Sequence, residues 1–335
     1  MSALDIGRLP HGPRNLISDV PGVRVGHCTV DTADCHTGVT VVLPPCRNPF
    51  AEKLTAASVV FNGYGKTAGL VQVDELGTLE TPIALTNTLN VGRVHDALVS
   101  YMIGLCREDG IDLTSVNPVV CECNDSRISA IAQRPVGEKE VRQAIEAATP
   151  DFAQGAVGAG RGTICYGLKG GIGSSSRRME IDGQTYALGV LAQSNYGASA
   201  DLRVACLPEG LAESDQGSII LILATDLPLT ARQLRRVLRR TSVGMARLGS
   251  YIGHGSGEIA VGFTTAPRKI EDSFTVQRAL REELMNLPFR AAGECAEEAI
   301  LQSMLHAAPD CMRDGTAVPT LLDFLKNNAS TEKNS

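Results

Sequence analysis

The sequence predicts layered β-sheets covered by helices. Short apolar, β-branched runs of roughly five to eight residues recur along most of the chain, lengths that favour strands. Segments with helical periodicity are longer and fewer, and the two kinds do not alternate strictly. Strict alternation would indicate a doubly wound parallel sheet, so stacked sheets with helices laid against them fit better. The 335 residues suffice for one large domain or two ordinary ones. No linker divides them, so a single domain over 1–335 is expected.

The strand-like runs, in order, are 23–30, 38–43, 57–61, 118–121, 186–193, 218–224 and 258–264. A helix is expected over 91–108, with Asn90 as a plausible cap. Another, 138–148, must stop before Thr149-Pro150 because the residue before proline disfavours helical backbone. The clearest helix spans 230–248. Leu234, Val237, Leu238, Met245 and Leu248 share one face, arginines cover the other, and Gly249 stands where a C-cap glycine belongs. A further helix is expected over 291–307. The polar tail 327–335 is expected to be disordered.

Hydrophobic residues make up 43% and charged residues 20%, an ordinary globular balance. A net charge of −6 gives no electrostatic reason to expect nucleic acid or an anionic membrane as partner. No apolar run reaches membrane-span length, and residues 1–16 lack a basic region followed by an apolar stretch, so the expected location is the cytoplasm. The ten cysteines are scattered without a C-x-x-C. Cys121 and Cys123 would share one strand face, which is poor zinc spacing. Reduced cysteines packed as small hydrophobes are expected, with no metal and no cofactor.

Three segments carry candidate chemistry. Residues 155–177 are glycine-dense, which lets backbone approach a ligand or another strand closely. They hold no G-x-G-x-x-G or P-loop pattern, so nucleotide binding lacks its signature. Lys169, between Leu168 and Gly170, reads either as a buried ammonium beside an active site or as a surface lysine in a turn. In residues 189–197 an apolar strand runs into Ser194-Asn195. An amide there could stabilise an oxyanion or merely form the next turn. In residues 245–258 a helix ends at Gly249 and Ser250 follows at once. No G-x-S-x-G occurs anywhere, which leaves a Ser-His-Asp reading around His254 little support.

Together these segments resemble the L-aminopeptidase/D-esterase family, which includes β-peptidyl aminopeptidases and nylon-oligomer hydrolases. The resemblance rests on Ile17-Ser-Asp-Val-Pro-Gly-Val-Arg-Val-Gly-His27, Thr37-Gly-Val-Thr-Val-Val-Leu43, Thr86-Asn-Thr-Leu-Asn-Val-Gly92, Lys169-Gly-Gly-Ile-Gly173 with Ser176-Arg177, Gln193-Ser-Asn-Tyr-Gly197, Ala224-Thr-Asp-Leu-Pro228 and Leu248-Gly-Ser250 through Gly257. Each motif is weak alone, but the family's order is kept from residue 17 to about residue 303.

The resemblance implies an αββα sandwich similar to the Ntn hydrolases but differently connected. It implies a precursor that cuts itself between Gly249 and Ser250, with fragments 1–249 and 250–335 staying associated in a homo-oligomer, typically a tetramer. Ser250 matches the nucleophile, Asn195 the oxyanion-stabilising amide, and Lys169 a lysine implicated in some members. Glu297 matches a supporting carboxylate, with Cys295 in place of the family's hydroxyl; a thiol is the weaker hydrogen-bonding group. A free α-amine on Ser250, of reference pKa about 7.7–8.0, could take the hydroxyl proton near neutrality. The implied substrates are short peptides, amides or esters. Glu122, Asn124 and Lys66 are the candidate substrate-binding residues. Asn124 stands where some members carry tyrosine, and Lys66 where an acidic residue is expected. Lys66 would repel a substrate amine, which leaves room for an acidic or amine-free substrate. An alternative, supported by Lys66 and Cys295, is a ligand-binding protein on the same fold that has lost catalysis.

Overall fold

The computed structural model describes residues 6–203 and 216–331. In chain order its strands are β1 (Arg24–Asp31), β2 (His36–Leu43), β3 (Leu54–Gly63), β4 (Thr78–Leu79), β5 (Ile83–Asn87), β6 (Val119–Cys123), β7 (Ile164–Cys165), β8 (Leu168–Lys169), β9 (Gly171–Ile181), β10 (Gln184–Asn195), β11 (Gln216–Thr225) and β12 (Gly255–Thr264). The short β13 (Lys269–Glu271), β14 (Phe274–Val276), β15 (Asp310–Cys311) and β16 (Ala317–Val318) follow. The helices are α1 (Leu70–Leu76), α2 (Val91–Glu108), α3 (Glu138–Glu146), α4 (Ala231–Leu238), α5 (Thr241–Arg247), α6 (Asn286–Leu305) and α7 (Leu321–Thr331).

Two sheets stack face to face. One has the order β1-β2-β5-β6, the other β4-β3-β12-β11-β10-β9. Pairing is antiparallel except for β5 with β6 and β11 with β12. Strand β11 shows how the layers form. Ile220, Ile222 and Ala224 pack between the sheets with Val42, Leu85 and Cys121. The alternate residues Ile219, Leu221 and Leu223 face the opposite side, among Leu234, Val237 and Ala296. A strand buried on both faces reads as a continuous apolar run for this reason. Helices α2 and α3 cover the other sheet through Val94, Leu98, Val141 and Ala144. The layers are therefore helix, sheet, sheet, helix, the sandwich expected.

Two local expectations are corrected, in the helix over 230–248 and in the tail 327–335. The helix expected over 230–248 is two helices broken at Arg239 and Arg240. Thr241 Oγ1 donates to Leu238 O and Ser242 Oγ to Arg239 O, hydroxyls that compete for helix carbonyls and favour a bend. Its apolar face survives, since Leu234, Val237, Leu238, Met245 and Leu248 are all buried. The glycine-dense segment, in turn, holds the long strand β9. A Cβ at Gly173 would lie 2.0 Å from Ala299 O and 2.3 Å from Ser303 N, so bare backbone is what lets α6 lie on the strand. The polar residues 327–331, expected to lack order, continue helix α7, as its hydrogen-bonded turns extend to Thr331; residues 332–335 lie outside those described.

Of the cysteines, nine are free thiols and Cys206 lies outside the described residues. Among the described residues no helix is long and apolar enough to cross a membrane, and no group of three or more His, Cys, Asp or Glu could hold a metal ion.

Candidate active site

Several strands end at the same edge of the sandwich. Asn195, the last residue of β10, sits opposite Ser218 in β11, and Ser218 opposite Gly257 in β12. Gly257 pairs with Gly63, the end of β3. The loops leaving these ends and the end of β6 enclose a cavity of about 360 Å³. Glu122, Asn195 and Ser218 form its buried floor, and Tyr64, Lys66, Asn124 and Arg127 its exposed rim.

Hydrogen bonds fix the amide of Asn195. Ile164 N–H can only donate, and it meets Asn195 Oδ1 at 3.0 Å; Asn124 O can only accept, and it meets Nδ2 at 2.9 Å. The oxygen is thereby engaged, and one N–H of the two on Nδ2 is left for a ligand. The carboxylate of Glu122 accepts from Lys66 N–H at 2.8 Å and from the Thr88 hydroxyl. Burial raises its pKa above the usual range, against the opposing effect of Thr88 and Lys66. Asn124 is held by its own turn, its Oδ1 accepting from Ser126 N–H at 3.0 Å.

Lys169 is no surface residue. It is fully buried behind the cavity, not on its wall. Its ammonium donates to Gly160 O at 3.3 Å, Thr163 O at 2.9 Å and Gly170 O at 3.1 Å. Burial lowers its pKa to about 7, with Asp310 and Asp125 acting the other way. Strand β8 sets it opposite Ile164, whose N–H orients Asn195.

Ser250 is nearly buried, at 8% exposure, and lies off the cavity wall in this uncut chain. Its N–H donates to Met245 O at 3.1 Å, and its Oγ accepts from Ile252 N–H at 3.2 Å. The backbone on both sides is unusual. Gly249 has φ of +109°, and a Cβ there would fall 1.7 Å from Asp201 O. Ile252 has φ of +59°, a left-handed conformation that is an outlier for a β-branched residue. Asn62 Nδ2 ties the following loop by donating to Gly253 O at 2.9 Å and His254 O at 3.1 Å.

The structure does not bring Cys295 and Glu297 together. Residues two apart on a helix point to nearly opposite sides. Cys295 is fully buried, its Sγ 3.5 Å from Leu188 O, and burial pushes its thiol up to about 12. Leu188 lies seven residues before Asn195 along β10, roughly 23 Å at strand rise. Glu297 turns the other way, onto Arg247 Nη1 at 2.9 Å. Neither lines the cavity.

The buried carboxylates of α6 are instead Glu294 and Glu298, four apart and on one face, which sequence reading passed over. Both bind the fully buried Arg177 of β9, at 3.2 and 2.8 Å. The same glutamates hold the N-terminal strap: Glu294 accepts from the N–H groups of Arg8 and Leu9, and Glu298 from Asn15 Nδ2. Other residues to which the motifs assign no role are Thr88, Ser126 and Arg127 on the cavity, and Asp125 beneath it. Asp125 is buried and accepts from Asn87 Nδ2 at 3.1 Å; burial raises its pKa to about 6.

Comparison with known proteins shows what kind of protein this is. Residues 15–318 match peptidase family S58. The chain belongs to peptidase family S58. It is 33% identical to beta-peptidyl aminopeptidase BapA of Sphingosinicella xenopeptidilytica, over 88% of this chain and 81% of that one. The structure superposes on the PH0078 protein of Pyrococcus horikoshii OT3 with a TM-score of 0.90 and 42% identity, covering 98% of both chains. It superposes on the L-aminopeptidase D-Ala-esterase/amidase of Ochrobactrum anthropi, described as a variant among the Ntn hydrolase fold, with a TM-score of 0.87 and 31% identity over 97% of each. This S58 member is thus a peptide-bond hydrolase on a variant Ntn-hydrolase fold, and a ligand-binding protein without catalysis is the less supported reading.

Proposed function

We propose that this S58 hydrolase matures by cutting itself between Gly249 and Ser250 and then uses Ser250 as its nucleophile on short peptides, amides or esters. The observation that carries the reading is the backbone around Ser250: Ile252, two residues on, is held in a left-handed conformation that is an outlier for its type, and Gly249 takes φ of +109° against Asp201 O where a side chain would not fit. Outliers of this kind cost about 1–3 kcal/mol each and persist only where surrounding structure imposes them. In the uncut chain Ser250 Oγ adds to the Gly249 carbonyl and the amide becomes an ester. Water then hydrolyses the ester, leaving a carboxylate on Gly249 and a free α-amine on Ser250. With that tie gone, residues 250–254 move Ser250 towards Asn195.

In turnover the α-amine takes the hydroxyl proton, Oγ attacks the substrate carbonyl, and the spare N–H of Asn195 stabilises the developing oxyanion. The amine leaves with a proton and water releases the acid. Lys169 is a positioning residue here. Its three carbonyl contacts set the turn that carries Ile164 N–H, and Ile164 sets Asn195. Cys295 and Glu297 have no direct part. The two fragments stay associated, and a homo-oligomer, a tetramer by the family resemblance, is the expected assembly in the cytoplasm.

Denaturing electrophoresis with intact-mass measurement tests the cut. The expected products are residues 1–249 and 250–335. Ser250→Ala should stay whole and inactive. A purified wild-type protein that stays whole would sink the proposal.

A further inference from the structure

The cavity carries more positive charge than its floor needs. Lys66 enters from the end of β3 and Arg127 from the loop after β6, both on the rim. Among the described residues neither cation lies within ion-pair distance of a carboxylate. The Lys66 ammonium is 2.7 Å from Tyr64 O and 4.6 Å from the centre of the Tyr64 ring, and Arg127 Nη2 lies 3.5 Å from Met312 Sδ. The one acid on the cavity, Glu122, is buried, and each of its oxygens already accepts from Lys66 N–H or Thr88. Two cations that make no ion pair among the described residues, with Glu122 and Asp314 the acids that feel them at longer range, therefore face a space the size of a small substrate, beside neutral hydrogen-bonding groups from Asn124, Ser126 and Ser218.

We propose that this cavity selects substrates that carry a carboxylate, held between Lys66 and Arg127. The inference rests on the hydrolase reading above and names its substrate class. The carboxylate could belong to the acyl part or to the leaving amine, and both present the same chemistry to the two cations.

Paired substrates separate the sources. On the acyl side, L-aspartyl p-nitroanilide is compared with L-asparaginyl p-nitroanilide; on the leaving side, alanyl-glycine with alanyl-glycinamide. The acidic partner of at least one pair should show a kcat/KM about tenfold higher, the size of a partly screened charge pair. Raising the salt should shrink that preference. Lys66→Glu and Arg127→Glu should abolish or reverse it, while Arg127→Lys should keep most of it. Equal turnover of both members of both pairs overturns the inference and leaves the hydrolase standing. Binding reads the inference even if no substrate turns over. The uncut Ser250→Ala protein should bind succinamate more tightly than succinamide in calorimetry, and equal or absent binding of both overturns it.

Discussion

Arg177→Met should be among the most damaging single substitutions outside the cavity. Every N–H of the Arg177 guanidinium is used. Nε meets Glu294, Nη1 meets Ser175 Oγ and Ser176 O, and Nη2 meets Glu298 and Ile6 O. The arginine is fully buried and the two glutamate side chains are 2% and 4% exposed. Removing the cation leaves two nearly buried carboxylates with only half-exposed partners, Arg290 at 3.8 Å from Glu294 and His11 at 3.1 Å from Glu298. Breaking a buried pair in this way costs about 3–5 kcal/mol. For a chain of this size that lowers Tm by roughly 6–10 °C, at about 2 °C per kcal/mol.

The pH dependence adds a sign. Burial raises the pKa of Glu298, but Arg177, Ser175 and Asn15 outweigh it and hold the group below its ordinary 4.5. Its contribution is therefore present above that value and lost as pH falls through the folded value. In Arg177→Met Glu298 can relieve its burial by binding a proton, so the deficit should be largest near neutrality and shrink as pH falls below about 5. Urea unfolding of both proteins at several pH values, in the Ser250→Ala background to keep one chain, measures it. A deficit below about 1 kcal/mol at pH 7, or one that grows on acidification, would refute the reasoning.

Other outcomes follow from single contacts. Gly249→Ala must move its Cβ away from Asp201 O, 1.7 Å distant, and leave φ of +109°; cleavage followed by electrophoresis should slow at least tenfold, and an unchanged rate would count against strain at the bond. Asn195→Ala should lower kcat by about 10²–10³ with a small change in KM, the usual loss of an oxyanion donor; a change in KM alone would assign it to binding. Lys169 titrates at about 7 instead of its ordinary 10.5, so between those values the unfolded chain holds the extra proton and stability rises with pH. Urea midpoints of Lys169→Met should lack that rise relative to wild type, and parallel curves would show that the amine does not titrate in this window.

The parts of the fold legible in the sequence were those whose burial follows a period. Helix α2 runs over Val91–Glu108 as the apolar spacing requires, and β11 reads as an apolar run because both its faces are covered. Strand β9 was hidden because close packing is achieved there by removing side chains, and Ser174, Ser175 and Ser176 are buried by bonding to Val190 O, Glu298 and Asp19. Local propensity cannot show hydroxyls satisfied, as those of Ser175 and Ser176 are, by residues more than a hundred positions away. The site was legible in the same uneven way. The strand end alone leaves Asn195 open between an oxyanion donor and a turn residue, and the family resemblance selects the first; Lys66 and Asn124 stand out by their departure from a family motif. Arg127, in a loop without a motif, becomes meaningful only when the cavity places it near Lys66. Cys295 and Glu297 are paired by the family resemblance, but helical geometry turns them apart.

Strand β12 begins five residues after Ser250 and lies in the middle of the larger sheet, bonded to β11 on one side and β3 on the other. Both neighbours come from the stretch before the bond between Gly249 and Ser250. A cut there would give a molecule whose second piece is a central plank laid while the chain was still continuous. Its pieces would hold together without a covalent link but would have lost the local concentration that assembled them. Such a protein would survive by the slowness of its unfolding, and once dismantled would not rebuild itself as the intact chain does.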